Sequence, residues 1–272
     1  VRSVFSPLIL EAVQTLLPGR DLADFAFTEI GAEPEMSLLE GFSEQPFRSV
    51  QVIRIGEPVP ALEGLNVVFS NEWLDAQPFV RMVFRQGEWR ESFVGIDKTG
   101  ALCERLEAPA SADARSLIDD LPATAPEGYR FDYAPAAEAA LEPYLAGDWS
   151  GLFLTLDYGS SWEALTGSLP GGTARSYFRH RQVADLLAFP GEQDLTCNVC
   201  WDRIRSALEG RGFAVGGPQR QEAFLLENAQ STIRSIVEGG ETSDAAVNRS
   251  RLMQLLNPVH FGAAFQALWG IR

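Results

Sequence analysis

Apolar positions along the chain follow two rhythms. Val4, Leu8, Val13, Leu16 and Leu17 recur at helical spacing. Ser6-Pro7 offers an N-cap and first-turn pair for that helix, and Pro18-Gly19 stops it. Residues 25–30, 49–55 and 65–70 are short apolar or alternating runs, which predict strands. Residues 34–40 read as a short helix opened by Pro34 and closed by Gly41. Residues 80–84, 89–96 and 101–106 are strand-like, with turns at Gln86-Gly87 and Lys98 to Gly100, and predict an antiparallel meander.

A Pro/Ala/Asp-rich surface stretch is expected at 108–128 and an amphipathic helix at 135–146. A buried strand follows at 151–156, ending at Asp157-Tyr158-Gly159. Further helices are expected at 201–210 and 221–238, before a closing tail at 258–269. Strands that alternate with helices predict an α/β fold, with a mostly parallel sheet covered by helices on both faces. The meander is an insertion. One domain of residues 1–272 is expected, with the inserted β-meander and helical segment at about 80–148.

Composition narrows the function classes. Hydrophobic residues make up 46% and charged residues 22%, which excludes wholesale disorder. Lys+Arg number 22 against 37 Asp+Glu, and the resulting −15 argues against nucleic acid as a partner. Lys98 is the only lysine and sits in a turn, so Schiff-base chemistry is set aside. Three cysteines do not make a disulfide framework. No run of 18 apolar residues predicts a spanning helix, no secretory leader is visible, and a cytoplasmic protein is expected.

Five segments carry candidate chemistry. Glu29-Ile30-Gly31-Ala32 ends a strand, where doubly wound folds hold nucleotide-like ligands; an ordinary βα turn has the same look. Asn71, Glu72 and Asp75 follow another buried strand, and the two acids share a face if a helix begins there. Acids favouring a helix dipole would look alike. Asp157, Tyr158 and Gly159 could line the same crevice, or form a cap and a turn. Arg175, Arg179, His180 and Arg181 could clamp a carboxylate, or pair with Asp185, Glu192 or Asp194. Cys197 and Cys200 could be half a zinc site or a redox pair, but only His180 and His260 could complete a metal site, the segment lies late in the chain for a redox motif, and no metal is expected.

These motifs also occur in a familiar order. Glu29-Ile30-Gly31 partly matches a strand-ending Glu-x-Gly-x-Gly, and residues 70–78 (Ser-Asn-Glu-Trp-Leu-Asp-Ala-Gln-Pro) match an Ala-Asn-Glu-x-x-Asp-Ala-x-Pro segment. Asp157-Tyr158-Gly159, residues 172–180 and Pro190 to Thr196 continue the series. The chain therefore resembles the MidA family, whose characterised mitochondrial members methylate arginine on a partner protein. The resemblance implies a class I methyltransferase-like (Rossmann-like) fold and S-adenosylmethionine as cofactor. It places Glu29, Gly31, Ala32, Glu57 and Asn71 at the cofactor, with Glu57 serving the ribose hydroxyls. Glu72, Asp157 and Asn71 are then catalytic, and Asp75, Tyr158, Gly159, Arg175, Tyr177 and His180 bind substrate. A protein substrate or assembly partner is implied, with a homodimer as a further expectation. Glu33 and Glu35 replace family glycines, and Cys197-Asn198-Val199-Cys200 replaces Ala-His-Val-Asp. Glu33, Glu35 and the compressed cofactor region, with only Glu40 to Arg48 between the expected helix and the next strand, motivate the alternative of a catalytically inactive methyltransferase-like protein acting as a binding or assembly factor.

Overall fold

A computed structural model of the chain describes residues 2–32, 37–40, 42, 45–179, 181–240, 242–257 and 261–272. In chain order the strands are β1 (Ala26–Ile30), β2 (Ser49–Ile53), β3 (Gly64–Asn71), β4 (Val80–Arg85), β5 (Glu88–Ile96), β6 (Leu102–Glu107) and β7 (Arg130–Tyr133). They continue with β8 (Trp149–Ser160), β9 (Arg175–Phe178), β10 (Arg181–Val183), β11 (Asp194–Thr196), β12 (Val199–Cys200), β13 (Ala214–Arg220) and β14 (Phe265–Ile271). The chain divides into two compact units. Val1–Trp73, Leu141–Tyr158 and Arg205–Arg272 form the first, and Leu74–Ala140 with Gly159–Ile204 form the second.

The first unit is built on a sheet of order β13-β14-β8-β3-β1-β2. Strands β2, β1, β3 and β8 run parallel, while β14 and β13 add an antiparallel edge. The parallel pairs put Ile30 opposite Ser70 and Asn71 opposite Leu156, so the C-terminal ends of β1, β3 and β8 lie side by side. Strand side chains alternate between faces. Val67, Phe69, Leu152, Leu154 and Ala267 join a cluster with the helices Arg2–Leu16, Gln221–Asn228 and Ser243–Leu256. Their neighbours Val68, Phe153 and Leu268 point the other way and are also fully buried. Both faces are therefore covered, and continuous apolar runs are what such strands require.

The first helix begins at Arg2, four residues before the Ser6 expected to cap it, and Pro7 lies inside it. Val4, Leu8, Ala12 and Val13 are buried on one stripe, each buried Leu or Val contributing about 1.5–3 kcal/mol. That packing outweighs the bond lost at Pro7, whose missing N–H falls near the helix start. The helix expected over 221–238 is two helices, Gln221–Asn228 and Gln230–Glu238. Ala229 between them leaves helical geometry at φ −133 and is fully buried. Of the helix expected at 34–40, residues 33–36 lie outside the described residues, and 38–40 form a turn.

In the second unit β6-β5-β4-β7 make an antiparallel sheet, the expected meander plus one strand. A smaller sheet has the order β10-β9-β11. Met82, Phe84, Trp89, Tyr129 and Phe131, on or beside β4, β5 and β7, form the core beneath the four-stranded sheet. The stretch at 108–128 is not all surface: it contains the helix Ala112–Leu117, whose Ala114 and Leu117 enter that core. Ser111 caps it, its Oγ accepting the Ala114 N–H at 3.0 Å.

Gly151 on β8 fixes the register of the parallel sheet. Its φ is +133, and a Cβ there would sit 2.1 Å from the Asn66 carbonyl oxygen of β3. Gly64 also has positive φ, but a Cβ there meets nothing within 4 Å. We expect Gly151→Ala to lower unfolding stability by at least about 2 kcal/mol in urea titrations, and Gly64→Ala by about 1 kcal/mol. Equal losses would show that the β3–β8 approach is not the constraint.

Candidate active site

Three strand ends meet in the first unit, and a buried carboxylate ties two of them together. Asp157, near the end of β8, is fully buried. Its Oδ2 accepts the Trp73 N–H at 3.2 Å and its Oδ1 accepts the Tyr158 N–H at 2.8 Å. A buried carboxylate is costly unless it is hydrogen-bonded, so these backbone donors hold it in place. Just before Trp73, the Glu72 N–H reaches the Leu156 carbonyl at 3.0 Å. The chain leaving β3 is thereby pinned to the end of β8 on both sides of Glu72.

The pinning puts Glu72 in left-handed backbone, φ +49. For a residue with a Cβ this costs about 1–2 kcal/mol, and such outliers cluster at functional sites. Glu72 is exposed, and Asn71 donates from Nδ2 to its Oε1 at 3.3 Å. Trp73 turns inward instead. Its ring covers Gly31, where a Cβ would come within 2.4 Å of the indole, and it meets Tyr144 edge-on at 5.6 Å. Gly31 itself has φ +72 and donates its N–H to Ile53 at the end of β2, at 2.8 Å. Trp73 and its partner Gly31 are 42 positions apart in the chain. The pairing of a bulky ring with a glycine at a neighbouring strand end is legible only in space.

Glu29 is buried on β1, and its carboxylate accepts the Leu38 N–H at 2.8 and 2.9 Å and the Ser37 hydroxyl at 2.8 Å. It organises the loop after β1. Ala32 follows Gly31, half-buried. Glu57 lies four residues past the end of β2, exposed, with Oε2 accepting the Arg54 N–H at 2.9 Å. That position places it with the second strand of the parallel sheet rather than with a later one. Tyr158 packs its ring 4.0 Å from that of Phe265 on β14.

The remaining candidates belong to the second unit. Asp75 is buried, and its backbone carbonyl accepts the Cys197 N–H at 3.0 Å. Gly159 makes room for Trp201, whose indole nitrogen would be 2.0 Å from an added Cβ. Arg175 donates to the Asn198 side chain at 2.9 Å, and Asn198 donates to Ser160 Oγ at 2.8 Å. Tyr177 lies on β9 opposite Gln182 and Asp194. The Arg179 guanidinium lies over the Phe178 ring at 5.0 Å. His180, Glu33 and Glu35 lie outside the described residues. Cys197 and Cys200 are free and buried. Burial pushes the Cys200 thiol up to about 11, which keeps it protonated and weakly nucleophilic at neutral pH. Among the described residues no group of three or more His, Cys, Asp or Glu could hold a metal, and no helix is long and apolar enough to cross a membrane.

Comparison with known proteins adds a second line of observation. A family model described as "Putative S-adenosyl-L-methionine-dependent methyltransferase" matches residues 40–219. A Drosophila melanogaster protein named protein arginine methyltransferase NDUFAF7 homolog, mitochondrial, is 24% identical over 222 residues, covering 78% of this chain and 48% of its own length. Its Xenopus laevis counterpart is 26% identical over 238 residues, 82% of this chain and 52% of its own. The chain thus spans about half the length of the curated relatives it matches. A Burkholderia thailandensis crystal structure superposes with TM-score 0.81 at 23% identity, covering 100% of this chain and 79% of that one. A second structure from that organism, bound to S-adenosyl-homocysteine, gives TM-score 0.80 at 23% identity, covering 99% and 76%. These two likenesses show a shared fold.

Removing the Asp157 carboxylate leaves two backbone donors unsatisfied. We expect Asp157→Ala to cost about 2–3 kcal/mol of unfolding stability and to change Trp73 fluorescence, with Asp157→Asn milder because it keeps an acceptor. A variant with unaltered stability and emission would show that the Glu72 turn holds itself.

Proposed function

The chain belongs to this family of S-adenosyl-L-methionine-dependent methyltransferases, and on that premise we propose that it binds S-adenosylmethionine at the ends of β1, β2 and β3 and methylates a protein arginine. The single observation that carries the reading is the exposed Glu72 carboxylate, held in strained backbone by the buried Asp157. The residues present fit the cofactor. Glu57 presents an exposed carboxylate beyond β2, of the type that accepts from ribose hydroxyls. The names of the relatives support arginine as the acceptor.

When bound, the cofactor supplies a methyl carbon made electrophilic by its sulfonium. The rest is positioning by this chain. Glu72 pairs with the incoming guanidinium and fixes which nitrogen faces the methyl carbon. The same carboxylate accepts the proton that this nitrogen loses once methylated. Asn71 donates to Glu72 and limits its rotamers. Asp157, buried and engaged by backbone N–H groups, is a positioning residue that keeps Glu72 in place. An acidic protein of net charge −15 attracts a basic acceptor segment.

Titration calorimetry of the purified chain with S-adenosylmethionine and S-adenosylhomocysteine tests the cofactor half. Saturable micromolar binding is expected; no heat at millimolar ligand from folded protein contradicts it. For the chemical half, Glu72→Gln should lower arginine methylation at least roughly tenfold while cofactor affinity is unchanged. Full activity in that variant removes Glu72 from the mechanism.

A further inference from the structure

The second unit contains a cavity of about 720 Å³ that the methyl-transfer reading does not use. Its volume lies within the roughly 300–1,000 Å³ of small-molecule sites. Three arginines line it: Arg81 and Arg130 from the β6-β5-β4-β7 sheet, and Arg175 of β9, which is held by Asn198. Arg81 of β4 binds buried Asp132 through Nε at 2.6 Å and Nη2 at 3.1 Å. Arg130 of β7 binds Glu104 through Nη1 at 2.7 Å and Nη2 at 2.9 Å. A guanidinium carries five N–H donors, so each pair consumes two and leaves three. Both forks are already rigid, and a guest would not bear the entropy of fixing them.

The walls supply the other half of the recognition. Phe79 and Phe93 line the cavity, and so do Val94 and Leu195, which are 64% and 40% exposed. Apolar side chains left in water beside unspent N–H donors match a ligand with an apolar body and an acceptor-rich head. The carboxylates that line the cavity are themselves engaged. Glu104 is taken by Arg130 and by Ser92, and Asp185 accepts the Leu187 N–H at 2.9 Å. We propose that this cavity binds a small organic acid, its carboxylate on the Arg81 and Arg130 forks and its apolar body against Phe79, Phe93 and Leu195. Carboxylate is the head group of choice because a planar fork meets it with two parallel hydrogen bonds. The proposal is independent of the cofactor reading.

Sodium octanoate, 1-octanol and octylamine, titrated calorimetrically into the full chain, test it. Octanoate should bind with one-to-one stoichiometry, and the alcohol and the amine at least roughly tenfold more weakly. Arg130→Met, which keeps the stem of the side chain, should weaken octanoate at least roughly fivefold. Leu195→Asp should do the same while leaving both arginines in place, with circular dichroism confirming that each variant is folded. Octanol binding as tightly as octanoate, or octanoate binding unchanged in both variants, overturns the proposal.

Discussion

One buried carboxylate organises the strand ends. Asp157 has no access to water, so it must be met by donors from the protein, and the Trp73 and Tyr158 N–H groups meet it. That requirement decides where the chain goes after β3. Glu72 is forced into left-handed backbone and outward, while Trp73 is turned down onto Gly31. A side chain at 31 would strike the indole, so the glycine, the tryptophan and the aspartate form one interdependent arrangement. The strain at Glu72, about 1–2 kcal/mol, is small beside the burial that over-determines it. The parallel sheet provides the platform, since only in-register β1, β3 and β8 bring residues 31, 71 and 157 to one edge.

Much of this is legible in the sequence, and the boundary is physical. Buried parallel strands need continuous apolar runs, so β1, β3 and the core of β8 announce themselves locally. The meander does so as well, because its turns at Gln86-Gly87 and around Lys98 carry their own chemistry. Strands β13 and β14 do not. Phe265–Ile271 earns its place by pairing with β8, over a hundred positions earlier in the chain, and no local pattern encodes that. Ala229 breaks a helix without Gly or Pro, because a tertiary site buries it. Pro7 sits inside a helix that packing extends past the expected cap.

The candidate site divides along the same line. Residue types at strand ends pick out Asn71, Glu72 and Asp157 together, but not their separate roles. Only geometry distinguishes the exposed Glu72 from the enclosed Asp157, or shows Glu29 turned to the Ser37–Leu38 loop. Gly159 reads as a binding glycine and turns out to make space for Trp201. Of the arginine-rich run, Arg175–Phe178 and Arg181 pair in a small sheet, with Arg175 held by Asn198.

Hydrogen exchange with and without S-adenosylhomocysteine is the most direct test that the β1, β2 and β3 strand ends form the cofactor site. Saturating ligand should slow exchange in peptides covering residues 28–32, 53–57 and 70–74, and leave those covering β5 and β6 unchanged. Protection confined to other segments, or absent while the protein stays folded, contradicts the account.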